Sequence, residues 1–387
     1  MKILLLPLFK MESGHHRTSD ALVEAFIKQD PYVQCEKVEF LSYVNAGLEK
    51  FISNLYLNWI TQIPSLYSLF YKKFFYKKSS VLQSIYLSFF LEKMEQMIQQ
   101  KQPDLIICTH SFPSFLVHKL KEYGVIKVMT GNVYTDFFIN DLWGKKHIDL
   151  HFVPSKEIKE QLIKASVPEE NIIISGMVTD DIFLKKKNIK VGNKKFHILV
   201  SGGNQGYGKS LAFLREKRAS NLIEYRVLCG MNQELYEELV SLQSESIKPL
   251  TYIKSTEQMN HLYNWADALI TKPGGITISE AIKKRIPIFI HTVIPGQEEM
   301  NMSFLVRRNL VHKLKNEEPI EDQIISVLKN PASLFEIKKA MHHYINDVEI
   351  KSCEEVASSI INKMINQTLN EHVRFIDQVF SRIYSNL

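Results

Sequence analysis

The feature that most limits how this chain can fold is an alternation, run through twice, of short β-branched or Leu-rich segments with helical-length amphipathic stretches. Such alternation builds parallel sheets flanked by helices, because a strand reaches a parallel neighbour only through a crossover of a dozen residues or so. In the first run the expected strands are Ile3 to Leu8, Leu105 to Cys108, Val125 to Met129, His151 to Val153 and Ile172 to Ile174. Helices such as Thr18 to Lys28 and Lys156 to Ala165 stand between them. The basic, non-periodic segment Lys185 to Lys195 breaks the pattern. Phe196 to Ser201 restarts it, followed by Tyr225 to Cys229, Leu250 to Ile253, Ala268 to Thr271 and Pro287 to His291. The expected fold class is α/β, two Rossmann-like doubly wound units facing a cleft. The units are expected at 1–184 and 196–365, joined by a linker at 185–195. A terminal helix at 366–387 carries Val373, Ile376, Phe380, Ile383 and Leu387 as one apolar stripe.

Composition agrees with two units. A chain of 387 residues that is 45% hydrophobic can fill two cores. The net charge of +6 favours anionic surfaces or phosphates, yet is too mild for a dedicated nucleic-acid binder, and no RRM or helix-turn-helix signature accompanies it. Cys35, Cys108, Cys229 and Cys353 are far apart and read as reduced core residues. Met1 to Leu8 lacks a following cleavage-site pattern and reads as a first strand. Phe51 to Tyr71 is uncharged but interrupted by Asn, Gln, Ser and Pro64, whereas a spanning helix needs roughly 20 predominantly apolar residues. A soluble or peripheral protein is expected.

Three polar turns follow predicted strands and carry the chemistry. Ser201 to Lys209 (SGGNQGYGK) opens a helix, and Gly202, Gly203 and Gly206 permit close backbone approach while free N–H groups face a phosphate. It lacks both GxGxxG and a GKS/T ending, so neither an NAD fingerprint nor a P-loop is indicated. Thr271 to Ala281 (TKPGGITISEA) combines a Pro273-Gly274-Gly275 turn, a helix start suited to pyrophosphate, and Glu280 one turn on, suited to two ribose hydroxyls. Pro295 to Asn301 (PGQEEMN) supplies Gln297, Glu298 and Asn301, whose amides and carboxylate suit sugar hydroxyls.

The pair KPGGITISEA and PGQEEMN resembles the donor-binding signature of family 28 glycosyltransferases. SGH (Ser13 to His15), QPDLIICT (Gln102 to Thr109), YTDFF (Tyr134 to Phe138) and LCG (Leu228 to Gly230) are similar to segments of processive diacylglycerol glucosyltransferases and plant-type galactolipid synthases, in the same order. The similarity covers about Met1 to Leu314. It implies a GT-B fold, a terminal helix crossing back to the first unit, and a UDP-sugar as co-substrate with no cofactor. Donor contacts are implied at Gly203, Cys229, Gly230, Ile253, Met259, Gly274, Gly275, Thr277, Glu280, Gln297 and Asn301, with uracil near Ile253 and ribose at Glu280. The chain holds no Asp-x-Asp pair, the arrangement through which many other sugar transferases hold a divalent metal, so no metal site is expected.

On the acceptor side, the resemblance puts His15 near the transferred sugar, and a neutral imidazole can take a hydroxyl proton near pH 7. His16 is adjacent, and Asp136 in the YTD segment is the second candidate base. Met11-Glu12-Ser13-Gly14 is poorer in glycine than its relatives, and Asn140 stands where many lipid transferases have His. Between Phe51 and Phe90, aromatic residues including Trp59, Phe70, Phe74 and Phe75 interleave with Lys72, Lys73, Lys77 and Lys78. Rings suit the bilayer interface and lysines suit anionic headgroups, so this segment is expected to dock on an anionic membrane surface where a lipid acceptor resides. The expected activity is inverting, metal-independent hexosyl transfer from a UDP-sugar to a diacylglycerol-type lipid, in the cytoplasm on the inner face of the cell membrane. Transfer to another acceptor, UDP-sugar epimerisation and non-catalytic UDP-sugar sensing stay open; nucleic acid is not an expected partner.

Overall fold

The computed structural model describes residues 1–47, 49–50, 81–184, 195–203, 206, 214, 222–315 and 317–384, apart from the side chains of 81–86, 368 and 370–384. The aromatic–lysine stretch Trp59, Phe70, Lys72, Lys73, Phe74, Phe75, Lys77 and Lys78 lies outside those residues, as do most of the loop after Gly203 and the side chains of the terminal apolar stripe.

Six strands build a first, wholly parallel sheet: β1 (Lys2–Leu6), β2 (Gln34–Lys37), β3 (Leu105–Cys108), β4 (Met129–Val133), β5 (Leu150–Val153) and β6 (Ile172–Ile174), in the order β2-β1-β3-β4-β5-β6. Six more, β7 (Phe196–Ser201), β8 (Ile223–Leu228), β9 (Ile247–Leu250), β10 (Ala268–Thr271), β11 (Ile288–Ile290) and β12 (His312–Lys313), build a second parallel sheet in the order β12-β11-β10-β7-β8-β9. In each sheet the chain reverses direction of travel once, between β1 and β3 and between β7 and β10. Crossover helices leave those junctions on opposite faces, so a crevice opens at the carboxyl edge of each. The central strands bury both faces, with period two. Ile3, Leu5, Leu105 and Ile107 enter one core, while Leu4, Leu6, Ile106 and Cys108 enter the other.

Two expected strands are displaced, for different reasons. Val125 to Met129 was expected from its apolar run, but Val125 is 45% exposed and the strand runs from Met129 to Val133, paired with β3. Its polar residues are buried with partners: the Thr130 amide and hydroxyl donate to Asp149 Oδ2 at 2.7 and 2.8 Å, and Asn132 Nδ2 donates to the Gly144 carbonyl at 2.8 Å. Leu250 to Ile253 likewise gives way to β9, an edge strand that tolerates Pro249, and frees Thr251 to Ile253 to run on into the cleft.

Helices α1 (Gly14–Gln29), α2 (Phe40–Val44), α3 (Val81–Lys101), α4 (Ser111–Glu122) and α5 (Lys156–Lys164) belong to the first sheet. The second carries α6 (Gln233–Ser241), α7 (Thr256–Trp265), α8 (Gly275–Lys283), α9 (Gln297–Arg307), α10 (Ile320–Leu328) and α11 (Pro331–Asn346). A shared apolar cluster joins the units: Phe137, Met177 and Phe183 pack with Tyr263, Ile276, Phe304 and Tyr344. Phe137 stacks on Phe304 with centroids 4.9 Å apart, and the Tyr344 hydroxyl donates to the Pro154 carbonyl at 2.8 Å.

The last helix, α12 (Cys353–Tyr384), returns to the first unit, where Cys353, Val356, Ala357 and Ile360 join the core around Leu22 and Phe26. Its return begins well before residue 366. Asp181 holds its start, accepting from the amides of Cys353 at 2.6 Å and Glu354 at 3.2 Å. Losing such a cap costs about 1–2 kcal/mol. Asp181→Ala is therefore expected to lower the urea midpoint of the transition that releases α12; an unchanged midpoint would show that the cap contributes nothing.

Candidate active site

The two crevices face one another. On the second unit, Ser201 ends β7 and Gly202 and Gly203 turn the chain. Gly203 has φ +76° with open space where a Cβ would stand. Gly206, at φ +66°, lies so close to the Cys229 carbonyl that a Cβ would approach its oxygen to 2.6 Å. Lys272 Nζ donates to the Gly206 carbonyl at 3.2 Å and ties this turn to the one after β10. Burial pushes the Lys272 ammonium below its ordinary value, with Glu298 opposing. Cys229 is fully buried, its thiol pushed up to about 11 by burial, and it serves packing.

The adjacent glycines of the α8 turn divide the work. A Cβ on Gly274, the N-cap residue, meets nothing within 4 Å. A Cβ on Gly275 would run into the Thr135 carbonyl and come within 2.7 Å of Met177 Sδ. Gly274 is thus the open position of the turn, and Gly275 is the point where the second unit presses on the first. Gly14 repeats that closeness from the other wall, 2.8 Å from Ile276 Cγ1 for an added Cβ.

Three of the expected donor contacts are committed within the protein. Asn301 is 1% exposed; its Nδ2 donates to Asp136 Oδ1 at 2.9 Å and its Oδ1 accepts from the Phe137 amide at 2.8 Å. It clasps the two units. Glu298 accepts from the Ile294 amide at 2.7 Å, and burial pushes its carboxyl up. Glu280 is 2% exposed, with Tyr263 Oη donating to Oε2 at 2.8 Å and Arg17 Nη1 standing 3.7 Å from Oε1. Burial raises its carboxyl, opposed by Arg17 and Tyr263. Gln297 stays half-exposed at the start of α9, behind Gly296, whose φ of +104° only glycine adopts readily.

On the first unit, His15 sits in the opening turn of α1, where Thr109 from the end of β3 reaches it. Its Nδ1 is 2.7 Å from the Thr109 carbonyl and 3.1 Å from Thr135 Oγ1. A carbonyl only accepts, so Nδ1 carries the proton and the neutral ring keeps its lone pair on Nε2. Burial lowers the His15 pKa, while Asp136 and the Thr109 carbonyl work to raise it. Burial likewise raises Asp136, against the Asn301 amide and His15. His16 is no substitute: it is 2% exposed, with Nδ1 3.2 Å from Ser13 Oγ and Nε2 3.6 Å from Glu39. Asn140 is buried and accepts from the Leu142 amide at 3.1 Å.

Between the walls lies a cleft lined from both units, by Ser13, Gly14 and Arg17 on one side and Ser201, Gly203 and Gly230 on the other. Of the expected contacts Gly203, Gly230, Ile253, Met259 and Thr277 line it; Glu280 lines an adjoining hollow. Arg17 and Tyr252 line both, and neither was expected. Arg17 falls two residues after His15, so the start of α1 was the signal to follow.

Two Rossmann-type sheets with their crevices turned to one another define the GT-B fold. Residues 15–179 match the family model of monogalactosyldiacylglycerol (MGDG) synthase. The chain is 36% identical over 376 residues to the uncharacterized glycosyltransferase YkoN of Bacillus subtilis (strain 168), covering 95% of this chain and 99% of that one. It is 29% identical over 298 residues to the processive diacylglycerol beta-glucosyltransferase of Bacillus cereus (strain B4264), covering 74% and 76%. Among solved structures it is similar to UDP-GlcNAc 2-epimerase from Neisseria meningitidis bound to UDP-GlcNAc, with a TM-score of 0.54 and 14% identity over 95% of this chain and 100% of that one. The chain belongs to the glycosyltransferases, with YkoN and the processive diacylglycerol glucosyltransferases as relatives, and is a transferase.

The split between the two glycines is open to test. Overpacking at a tight contact costs about 1–3 kcal/mol, so Gly275→Ala is expected to lower the melting temperature or to open the cleft, seen as a larger radius of gyration in solution scattering. Gly274→Ala is expected to change neither. Identical behaviour of the two variants would contradict the division.

Proposed function

We propose that the protein transfers a hexose from a UDP-sugar to a diacylglycerol-type lipid in a single displacement with inversion at the anomeric carbon, without a metal or a further cofactor. The observation that carries this reading is His15, neutral and held through Nδ1 by the Thr109 carbonyl, beside Thr135, whose own carbonyl abuts Gly275 of the second unit. The names of the sequence relatives, a diacylglycerol glucosyltransferase and MGDG synthase, support a lipid acceptor and a hexose. A fold neighbour bound to UDP-GlcNAc supports the donor class.

In this mechanism the acceptor hydroxyl oxygen attacks C1 of the sugar, the bond from C1 to the diphosphate oxygen breaks, and the hydroxyl proton passes to His15 Nε2. Asp136 keeps the resulting imidazolium favourable; it is the alternative base. The leaving UDP gathers negative charge, met by the backbone N–H groups at Gly203 and at the start of α8, where Gly274 leaves room for phosphate. Uracil is assigned to the wall at Ile253 and Met259 beside Gly230, ribose to Glu280 and the sugar to Gln297. No helix among the described residues is long and apolar enough to cross a membrane. Docking is assigned to the basic, aromatic stretch around Lys72, Lys73, Lys77 and Lys78, on the inner face of the cell membrane.

Incubation with a panel of UDP-sugars and diacylglycerol vesicles is expected to release UDP with formation of a glycolipid. Interconversion of the UDP-sugar with no acceptor consumed would favour the epimerase reading instead. His15→Ala is expected to cost on the order of 10²–10⁴ in kcat.

The pH dependence follows from sign. The active form is neutral His15 and burial lowers its pKa, so kcat/KM is expected to fall only below the ordinary value of 6.5 and to be level near pH 7.5. Asp136 works to raise that pKa, so Asp136→Asn is expected to move the acid limb to lower pH. An acid limb above 6.5, or full activity in both variants, would remove the assignment.

A further inference from the structure

Across the cleft, the guanidinium of Arg17 on α1 and the carboxylate of Glu280 on α8 form an ion pair between the two units, Nη1 to Oε1 at 3.7 Å. Its two ends are unlike. The Glu280 side chain is 2% exposed and the Arg17 side chain 37%, so the carboxylate is sealed in the second unit while the guanidinium looks onto open space. Tyr263 Oη already donates to the other oxygen of Glu280 at 2.8 Å. With Arg17 in place, Oε2 accepts from Tyr263 and the guanidinium stands over Oε1, so a ribose hydroxyl assigned to Glu280 meets Arg17 there. Two claimants compete for one oxygen.

Arg17 also lines the cleft onto which Gly203, Gly230 and Thr277 open, and among the described residues lining that cleft it is the cation. A nucleoside diphosphate sugar brings two negative charges to that place. At 3.7 Å the contact with the carboxylate is longer than a hydrogen bond, and the guanidinium is more than a third exposed. The same fork against phosphate oxygens makes short, paired, charge-assisted hydrogen bonds. Burial works against the Arg17 cation, and Glu280, Tyr263 and Tyr252 around it more than compensate. The cation is thus kept charged and parked until a better anion arrives.

We propose that Arg17 is a donor-binding residue supplied by the first unit: held on Glu280 when the cleft is empty, it moves to the diphosphate when the donor binds and releases Glu280 Oε1 to the ribose. This rests on the UDP-sugar reading above and adds a residue and a sequence of events to it. Because the exchange needs the phosphates, a nucleoside without them has to break the ion pair with no compensation. The diphosphate therefore does more than add affinity: it unlocks the ribose position.

The test is calorimetric titration of the wild type, Arg17→Ala and Arg17→Lys with uridine and with UDP. Arg17→Ala is expected to weaken UDP about 10-fold, the equivalent of one charge-assisted contact, while uridine binds as well as or a few-fold better than to the wild type. Arg17→Lys, which keeps the charge and loses the fork, is expected to fall between for UDP. Equal weakening of both ligands would show that Arg17 only props up the site, and unchanged UDP affinity would remove it from the donor; either overturns the proposal. A wild type that binds neither ligand would overturn the UDP-sugar reading itself, and this inference with it.

Discussion

The closeness of Gly275 to the Thr135 carbonyl decides what the rest of the structure can do. A helix start that carries an N-cap glycine is common, but here the second glycine lets the helix touch the backbone of the opposite unit. Asn301 secures the contact beside it, with one end of its amide on Asp136 and the other on the Phe137 backbone. Phe137 in turn stacks on Phe304 and completes the cluster the units share. Both candidate bases are therefore brought beside the α8 turn by packing, and Asp136 is oriented by a residue of the other unit.

Closure also explains the charge states. His15 is shifted down and Asp136, Glu280 and Glu298 are shifted up, and in all four burial is the leading cause. Removal of water disfavours every isolated charge, so each of these groups is shifted toward its neutral form and a partner opposes the shift. For His15 that is the form a base needs. For Glu280 it makes the Arg17 cation consequential, because the ion pair opposes the shift. In a site of low polarity, backbone N–H groups at helix starts act strongly on a departing diphosphate.

Much of the fold was legible in the chain because buried parallel strands are written as continuous apolar runs. Leu105 to Cys108, Ile172 to Ile174, Phe196 to Ser201 and Ala268 to Thr271 form strands over those very residues. Where apolar content and burial part company, the reading slipped. Met129 to Val133 is buried through polar side chains that find partners in Asp149 and Gly144, and no local pattern announces those. The edge strands Gln34–Lys37 and His312–Lys313 are polar and short, and went unseen. At the site, the glycine turns were legible from their residue types. That Asn301 is a clasp, that Gly275 is a contact and that Glu280 is shared with Arg17 all depend on the opposite unit. Residues so far apart in sequence leave no local trace of such pairing.

The central claim is that a uridine nucleotide occupies the cleft between the two facing crevices, gripped chiefly by the second unit. Hydrogen–deuterium exchange of the intact protein with and without UDP tests it most directly. The account predicts slowed exchange in the turns at Ser201–Gly206 and Cys229–Gly230 and at the start of α8 around Gly274 to Glu280, with a smaller effect at the first turn of α1. Protection confined to the first unit, or none in any of these turns at saturating UDP, would contradict it.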